Sequence, residues 1–180
     1  MWAARCDEGY VFGDLTPDAV KTLKGIPMLI ESSDPRVRSR LLPETCQDSD
    51  DELHWQQHAV PELERLFLSR AQLVRRDLDN LRLLPNSSNS VLLIPDEHQN
   101  AWIAALNAAR LAMYVLSDLT AEQMEAKGFA GATDKQQQAV LRIGLLAEFQ
   151  AILLGEYRDD YGGDDDDEGD GLSFDDLILG

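Results

Sequence analysis

The sequence predicts a mostly α-helical protein: a compact bundle of four to five helices, a small N-terminal β-hairpin and a disordered acidic C-terminal tail. Three observations lead there. Apolar residues gather on one helical face from Leu63 to Leu81 and almost all round the segment Trp102–Leu116. Helix-start signals recur along the chain, as cap-plus-proline pairs and as capping boxes. The last twenty-five residues, Glu156 to Gly180, hold eleven acidic residues against one basic residue. Such a run repels itself and has too little apolar surface to offset its ordering entropy. The expected organisation is one helical domain over residues 1–155, with residues 1–15 as a hairpin appendage, and a flexible acidic tail over 156–180.

Trp2–Cys6 and Tyr10–Phe12 read as two short strands joined by Asp7-Glu8-Gly9, a turn that carries a glycine. A lone hairpin is marginal, so it must lean on the helices. Thr16-Pro17-Asp18 starts a helix with a capping hydroxyl and a proline at its first position. Gly25 and Pro27 predict a kink or break in it. Asp34-Pro35 starts a short basic helix with Arg36, Arg38 and Arg40, stopped by Pro43. The acidic run Asp48–Glu52 favours the positive end of the next helix dipole, and Pro61 either kinks that helix or restarts it. Beyond it, Leu63, Leu66, Phe67, Val74, Leu78 and Leu81 share a face. Residues 85–90 form a loop, and Val91–Ile94 reads as a strand able to join the hairpin. Pro95 opens the central helix to about Leu119, apolar nearly all round and therefore buried on several sides. Thr120-x-x-Gln123 and Thr133-x-x-Gln136 fit capping boxes, for a short helix ending near Gly128 and a long one ending at Gly155.

The net charge is −17. Residues 1–155 hold 22 acids against 15 bases, so most of the excess sits in the tail. Neutralising phosphate dominates nucleic-acid affinity, so this composition disfavours direct DNA or RNA binding, and an anionic membrane surface likewise. Cys6 and Cys46 lack paired metal-ligand spacing and read as reduced thiols. The first residues lack the apolar core of a signal peptide and no apolar run approaches a membrane span, which makes the cytoplasm the expected location.

Asn107, Arg110, Tyr114 and Ser117 follow i, i+3, i+7 and i+10, forming one polar seam on the central helix. A buried guanidinium must be paired, so the favoured reading is a structural network in which Arg110 meets a carboxylate, Glu148 or Glu64. The functional alternative is an anion or peptide pocket lined by Arg110 and Asn107. His54 and His58 sit four apart, with Glu62 a turn further on; this is metal-ligand spacing, but the glutamate that follows the first histidine of a zinc-peptidase helix is missing. His98 has no visible connection to that pair. An exposed helical face is the preferred reading, and no metal or cofactor is expected. The tail stretch Asp166–Asp176 resembles a calcium loop that is one residue short and lacks the closing glutamate. Its apolar patch, Leu172, Phe174, Leu177, Ile178 and Leu179, suits either a short peptide ligand for a partner or a segment folding back on the basic helix of Arg36, Arg38 and Arg40. A solubilising tail is the competing reading. There is no phosphate loop and no nucleophile elbow, so an enzyme is not expected.

Several segments together resemble a known bacterial family, the domain of unknown function 2017, found widely in actinobacteria. They are Gly9–Phe12, then Asp34-Pro35-x-Val37-x-x-x-Leu41-Leu42-Pro43, the arginine-bearing helix around Leu63–Leu78, and Pro95-Asp96-Glu97 leading into Trp102-Ile103-x-Ala105-Leu106-Asn107-x-x-Arg110-Leu111. The last is the most specific. Residues 2–155 carry the resemblance, with the tail outside it. It implies kinship of fold more than of function. Family members are often encoded beside an adaptor of the Clp protease, and some are labelled transcriptional regulators; both are associations. The expected function is therefore a non-enzymatic regulatory adaptor acting through protein–protein contact and linked to Clp-type proteolysis. The body would bind through Asn107 and Arg110 and the arm through its apolar patch. The alternatives are a transcription-associated regulator whose acidic tail mimics nucleic acid, and a metal-dependent enzyme built on His54 and His58.

Overall fold

The computed structural model describes residues 1–125 and 131–155. Strands β1 (Trp2–Cys6) and β2 (Gly9–Leu15) form the expected antiparallel hairpin. It is joined by two later strands. Strand β4 (Ser90–Pro95) pairs antiparallel with β2, and the two-residue β3 (Arg82–Leu83) pairs with β4, giving the order β1-β2-β4-β3. The hairpin therefore supplies one side of a four-stranded sheet, and β2 is an inner strand that faces the helices. Phe12 and Leu15 are fully buried in the main core. They are three residues apart and would point to opposite faces of a regular strand, since side chains alternate with period two. A register shift between Phe12 and Leu15, with Asp14 at φ +57°, inserts the extra step that returns Leu15 to the core face. Val11 points the other way, into a small second cluster with Cys6 and Val91.

The helices begin where the local chemistry places them. α1 (Pro17–Lys24) is capped by Thr16 Oγ1, which accepts from the Ala19 amide at 3.3 Å, and the chain breaks at Gly25 before α2 (Ile26–Ile30). α3 (Pro35–Leu41) is capped by Asp34, and α4 (Ser49–Asp79) by Asp48. α4 runs unbroken through Pro61. Proline removes the donor for the Gln57 carbonyl, and both residues lie exposed, so water can take the donor's place. The buried stripe of α4 is Val60, Ala71, Val74, Asp77 and Leu78; Leu66, expected on that face, is 42% exposed and Leu81 lies past the helix end.

A 3-10 turn (Asp96–His98) precedes α5 (Gln99–Leu116), so the central helix starts four residues after Pro95 and stops short of Leu119. α5 packs against α2, α3, α4 and α7. It does so through Trp102 and Leu106 together with Ala105, Ala108, Ala109 and Ala112, whose small side chains let neighbouring helices approach closely. α6 (Ala121–Glu125) and α7 (Asp134–Leu153) carry the two capping boxes expected at Thr120 and Thr133. Phe149 of α7 stacks on Phe12 of β2 at 4.3 Å between ring centroids, joining sheet to bundle. The result is a mostly helical fold with a small antiparallel sheet. No helix among the described residues is long and apolar enough to cross a membrane.

Candidate binding grooves and a buried polar cluster

The polar seam of α5 divides. Asn107 is exposed, whereas Arg110 is half-buried and donates through Nη1 to Gln150 Oε1 of α7 at 2.6 Å. Neither expected carboxylate is its partner: Glu64 is held by Arg38 at 2.8 Å, and Glu148 is exposed. The guanidinium thus lies against a neutral amide, and its Nε is buried without a hydrogen-bond partner among the described residues. Asn107 thus faces solvent, while Arg110 lies against α7.

His54 and His58 do come together on the exposed face of α4, with ring centroids 4.4 Å apart. Glu62 is drawn off to Arg65 at 2.6 Å. Among the described residues no group of three His, Cys, Asp or Glu side chains is placed to hold a metal ion.

The third histidine belongs to a cluster that the sequence reading missed. Asp77, 4% exposed, accepts the indole N–H of Trp102 at 2.8 Å and faces His98 Nδ1 at 2.9 Å. His98 Nε2 lies 3.4 Å from Arg76 Nη2. With Nδ1 protonated, the imidazole donates to the carboxylate and accepts from the guanidinium, so each polar group is satisfied. The cluster ties α4 to the start of α5. A signal existed: Asp77 falls on the buried stripe between Val74 and Leu78, and a buried indole needs an acceptor.

The basic helix α3 has spent most of its charge. Arg36 bonds to Asp34 at 2.8 Å and to Asp118 at 2.9 Å, and Arg38 bonds to Glu64. The Arg36 side chain, and then its backbone N–H, holds the Asp34 carboxyl below the usual carboxylate range. Alongside, a cavity of about 220 Å³ lined by Ile30, Val37, Leu41, Leu42, Phe67 and Leu68 opens between α2, α3 and α4, with the Arg38–Glu64 pair on its lining.

A second groove lies where α1 and α2 meet α5 and α7, with a volume of about 410 Å³. Leu29, Met113, Leu116 and Ala139 provide apolar lining, and Met28, 74% exposed, stands at its lip. Its cations are Lys21, Lys135 and Arg142, and none of them makes an ion pair with a described carboxylate. It continues past Thr22, Gln138 and Arg142 towards Leu141 and Leu145, and Asp18 is the single acid among the described lining residues. The expected arm residues Leu172, Phe174, Leu177, Ile178 and Leu179, and the calcium-like stretch, lie outside the described residues.

Residues 11–168 match the model of a family described as Domain of unknown function (DUF2017). The match extends beyond the residues 2–155 that carry the resemblance in sequence and takes in the first part of the acidic segment, including Asp164–Glu168. No curated protein and no solved structure matches the chain.

Proposed function

The chain belongs to the DUF2017 family, and on that premise we propose that it is a non-enzymatic regulatory adaptor, working in the cytoplasm, whose body binds an acidic partner segment bearing apolar anchors. The groove between α1–α2 and α7 is the binding surface. One observation carries the reading: Lys21, Lys135 and Arg142 line an apolar groove in which Asp18 is the single acid among the described lining residues, in a chain whose net charge is −17. Apolar grooves with a few convergent charges suit helical or extended peptides, the apolar part supplying affinity and the charges register and encounter rate. The link to Clp-type proteolysis belongs to this proposal and rests on the family's gene neighbourhood alone.

The test is a screen of labelled acidic peptides carrying paired leucine or phenylalanine anchors against the full chain and its Lys21→Glu/Lys135→Glu/Arg142→Glu form. Binding should weaken with added salt and fall at least about tenfold on charge reversal, given the size of close charge pairs at interfaces. Circular dichroism checks that the reversed form stays folded. Peptides that bind both forms equally would remove the groove from the proposal.

A further inference from the structure

We infer that the groove is occupied by the chain's own C-terminal segment, with the carboxylates of Asp164–Glu168 against Lys21, Lys135 and Arg142 and the apolar patch on the Met113–Leu116 floor. This rests on the groove being a peptide site and names its resident ligand. The charges complement each other: the segment 156–180 carries eleven acids, while the groove gathers three cations that no described acid engages. α3, the more basic helix by sequence, is a poorer seat because Arg36 and Arg38 are already bound to Asp34, Asp118 and Glu64.

The chain length fits. Arg142 lies thirteen residues before Gly155, about 20 Å along the α7 axis at the helical rise. Extended chain carries Asp164, nine residues after Gly155, up to about 30 Å and Glu168, thirteen after it, up to about 43 Å; that suffices to return along α7 to Arg142 and to Lys135, which lies about 30 Å before Gly155. Gly155, at φ +74°, already turns the backbone out of the helix direction. Tethering then makes a weak contact effective: at an effective concentration on the order of 1 mM, a contact of about 100 µM is made roughly ten times out of eleven. A partner segment must displace it, which makes the groove self-blocked.

The experiment uses the full chain and a fluorescein-labelled peptide of residues 164–180. In one variant Leu172, Phe174, Leu177, Ile178 and Leu179 are all changed to Ser. The peptide should bind this variant about tenfold more tightly than the parent chain, and that binding should disappear when Lys21→Glu, Lys135→Glu and Arg142→Glu are added. Carbodiimide coupling of the parent chain should join Lys21 or Lys135 to Asp164–Glu168 within one molecule. Equal binding to parent and serine variant, lost on charge reversal, would overturn self-occupancy and leave the groove as a peptide site. Binding to neither would overturn self-occupancy alone, the partner reading being decided by the separate peptide screen; binding indifferent to charge reversal would overturn self-occupancy and remove the three cations from the groove's role. Coupling found only between isotopically mixed chains would overturn the inference by making the occupant a second copy.

Discussion

The carboxylate of Asp77 on α4 accepts the indole N–H of Trp102 on α5 at 2.8 Å, in a setting where Trp102 is fully buried and Asp77 almost so. Asp77→Ala would leave a buried donor on Trp102 and remove the partner of His98 Nδ1, a loss of about 3 kcal/mol from stranded polar groups. Trp102→Phe removes the donor but keeps most of the ring, so it should cost less. Urea denaturation of both single variants and the double variant measures the coupling, expected at about 1–3 kcal/mol for residues in direct contact. Strict additivity would mean that the contact contributes nothing.

The Phe12–Phe149 stack predicts that sheet and bundle unfold as one unit. Both rings are fully buried, so Phe149→Ala should destabilise by about 3–5 kcal/mol. Hydrogen-exchange protection of the β2 amides and far-ultraviolet dichroism of the helices should be lost at the same denaturant midpoint. A hairpin that merely leaned on the helices would melt separately and early.

Two glycines should respond with opposite signs to the same substitution. At Gly9, φ is +146° and an added Cβ would lie 2.2 Å from the Ile94 carbonyl oxygen, which is backbone and cannot step aside. Gly9→Ala should therefore cost at least about 3 kcal/mol, since strain and overpacking combine. Gly144 lies inside α7, where an added Cβ meets nothing within 4 Å. Gly144→Ala should stabilise by about 0.5–1 kcal/mol through the lower entropy of the unfolded chain. Thermal melts of the two variants test both signs.

Acid should release the segment before α4. The Gln56 side chain, then the Cys46 and Thr45 amides, hold the Glu52 carboxyl below its usual range; Arg36 does the same for Asp34. A carboxyl whose folded value is depressed adds stability that is fully present above its unfolded value, about pH 4. That contribution disappears as pH falls through the lower folded values. Hydrogen-exchange protection of the Thr45 and Cys46 amides should thus persist at neutral pH and collapse in acid. Glu52→Gln, with one neutral acceptor, should show weak protection at every pH. Strong protection in that variant would assign the ordering of the segment to other contacts.

The legible part of this protein was local. Thr16, Asp34, Asp48 and Thr133 cap helices through side chains that reach only two or three residues onward, so each cap is contained in a short stretch of sequence. The hairpin likewise announced itself through one turn, and its partner β4 through a run of four apolar residues. The two-residue β3 did not, because so short a strand carries no periodicity and is defined by its pairing with β4. Leu66 misled because hydrophobicity places a residue on a helix face only approximately, and the neighbours of α4 determine where that face closes.

The candidate site was legible in its charge and illegible in its geometry. The acidic excess of the final segment and the basic residues of the body are matters of composition. Which cations remain available depends on pairings such as Arg36 with Asp118, separated by 82 residues, and Arg38 with Glu64, separated by 26. Arg110 met Gln150 rather than an acid for the same reason: a side chain forty residues away was the one placed beside it.

By itself, then, the order of residues determined the capped helix starts, the break at Gly25, the three longer strands and the uneven division of charge, since each depends on interactions within a few peptide units. The packed structure alone decided that β2 packs as an inner strand on the bundle, that Asp77, His98 and Trp102 form one cluster, and that Lys21, Lys135 and Arg142 share a groove. Those outcomes depend on which distant side chains meet once water is excluded, and burial of polar groups selects among partners that the linear chain leaves equivalent.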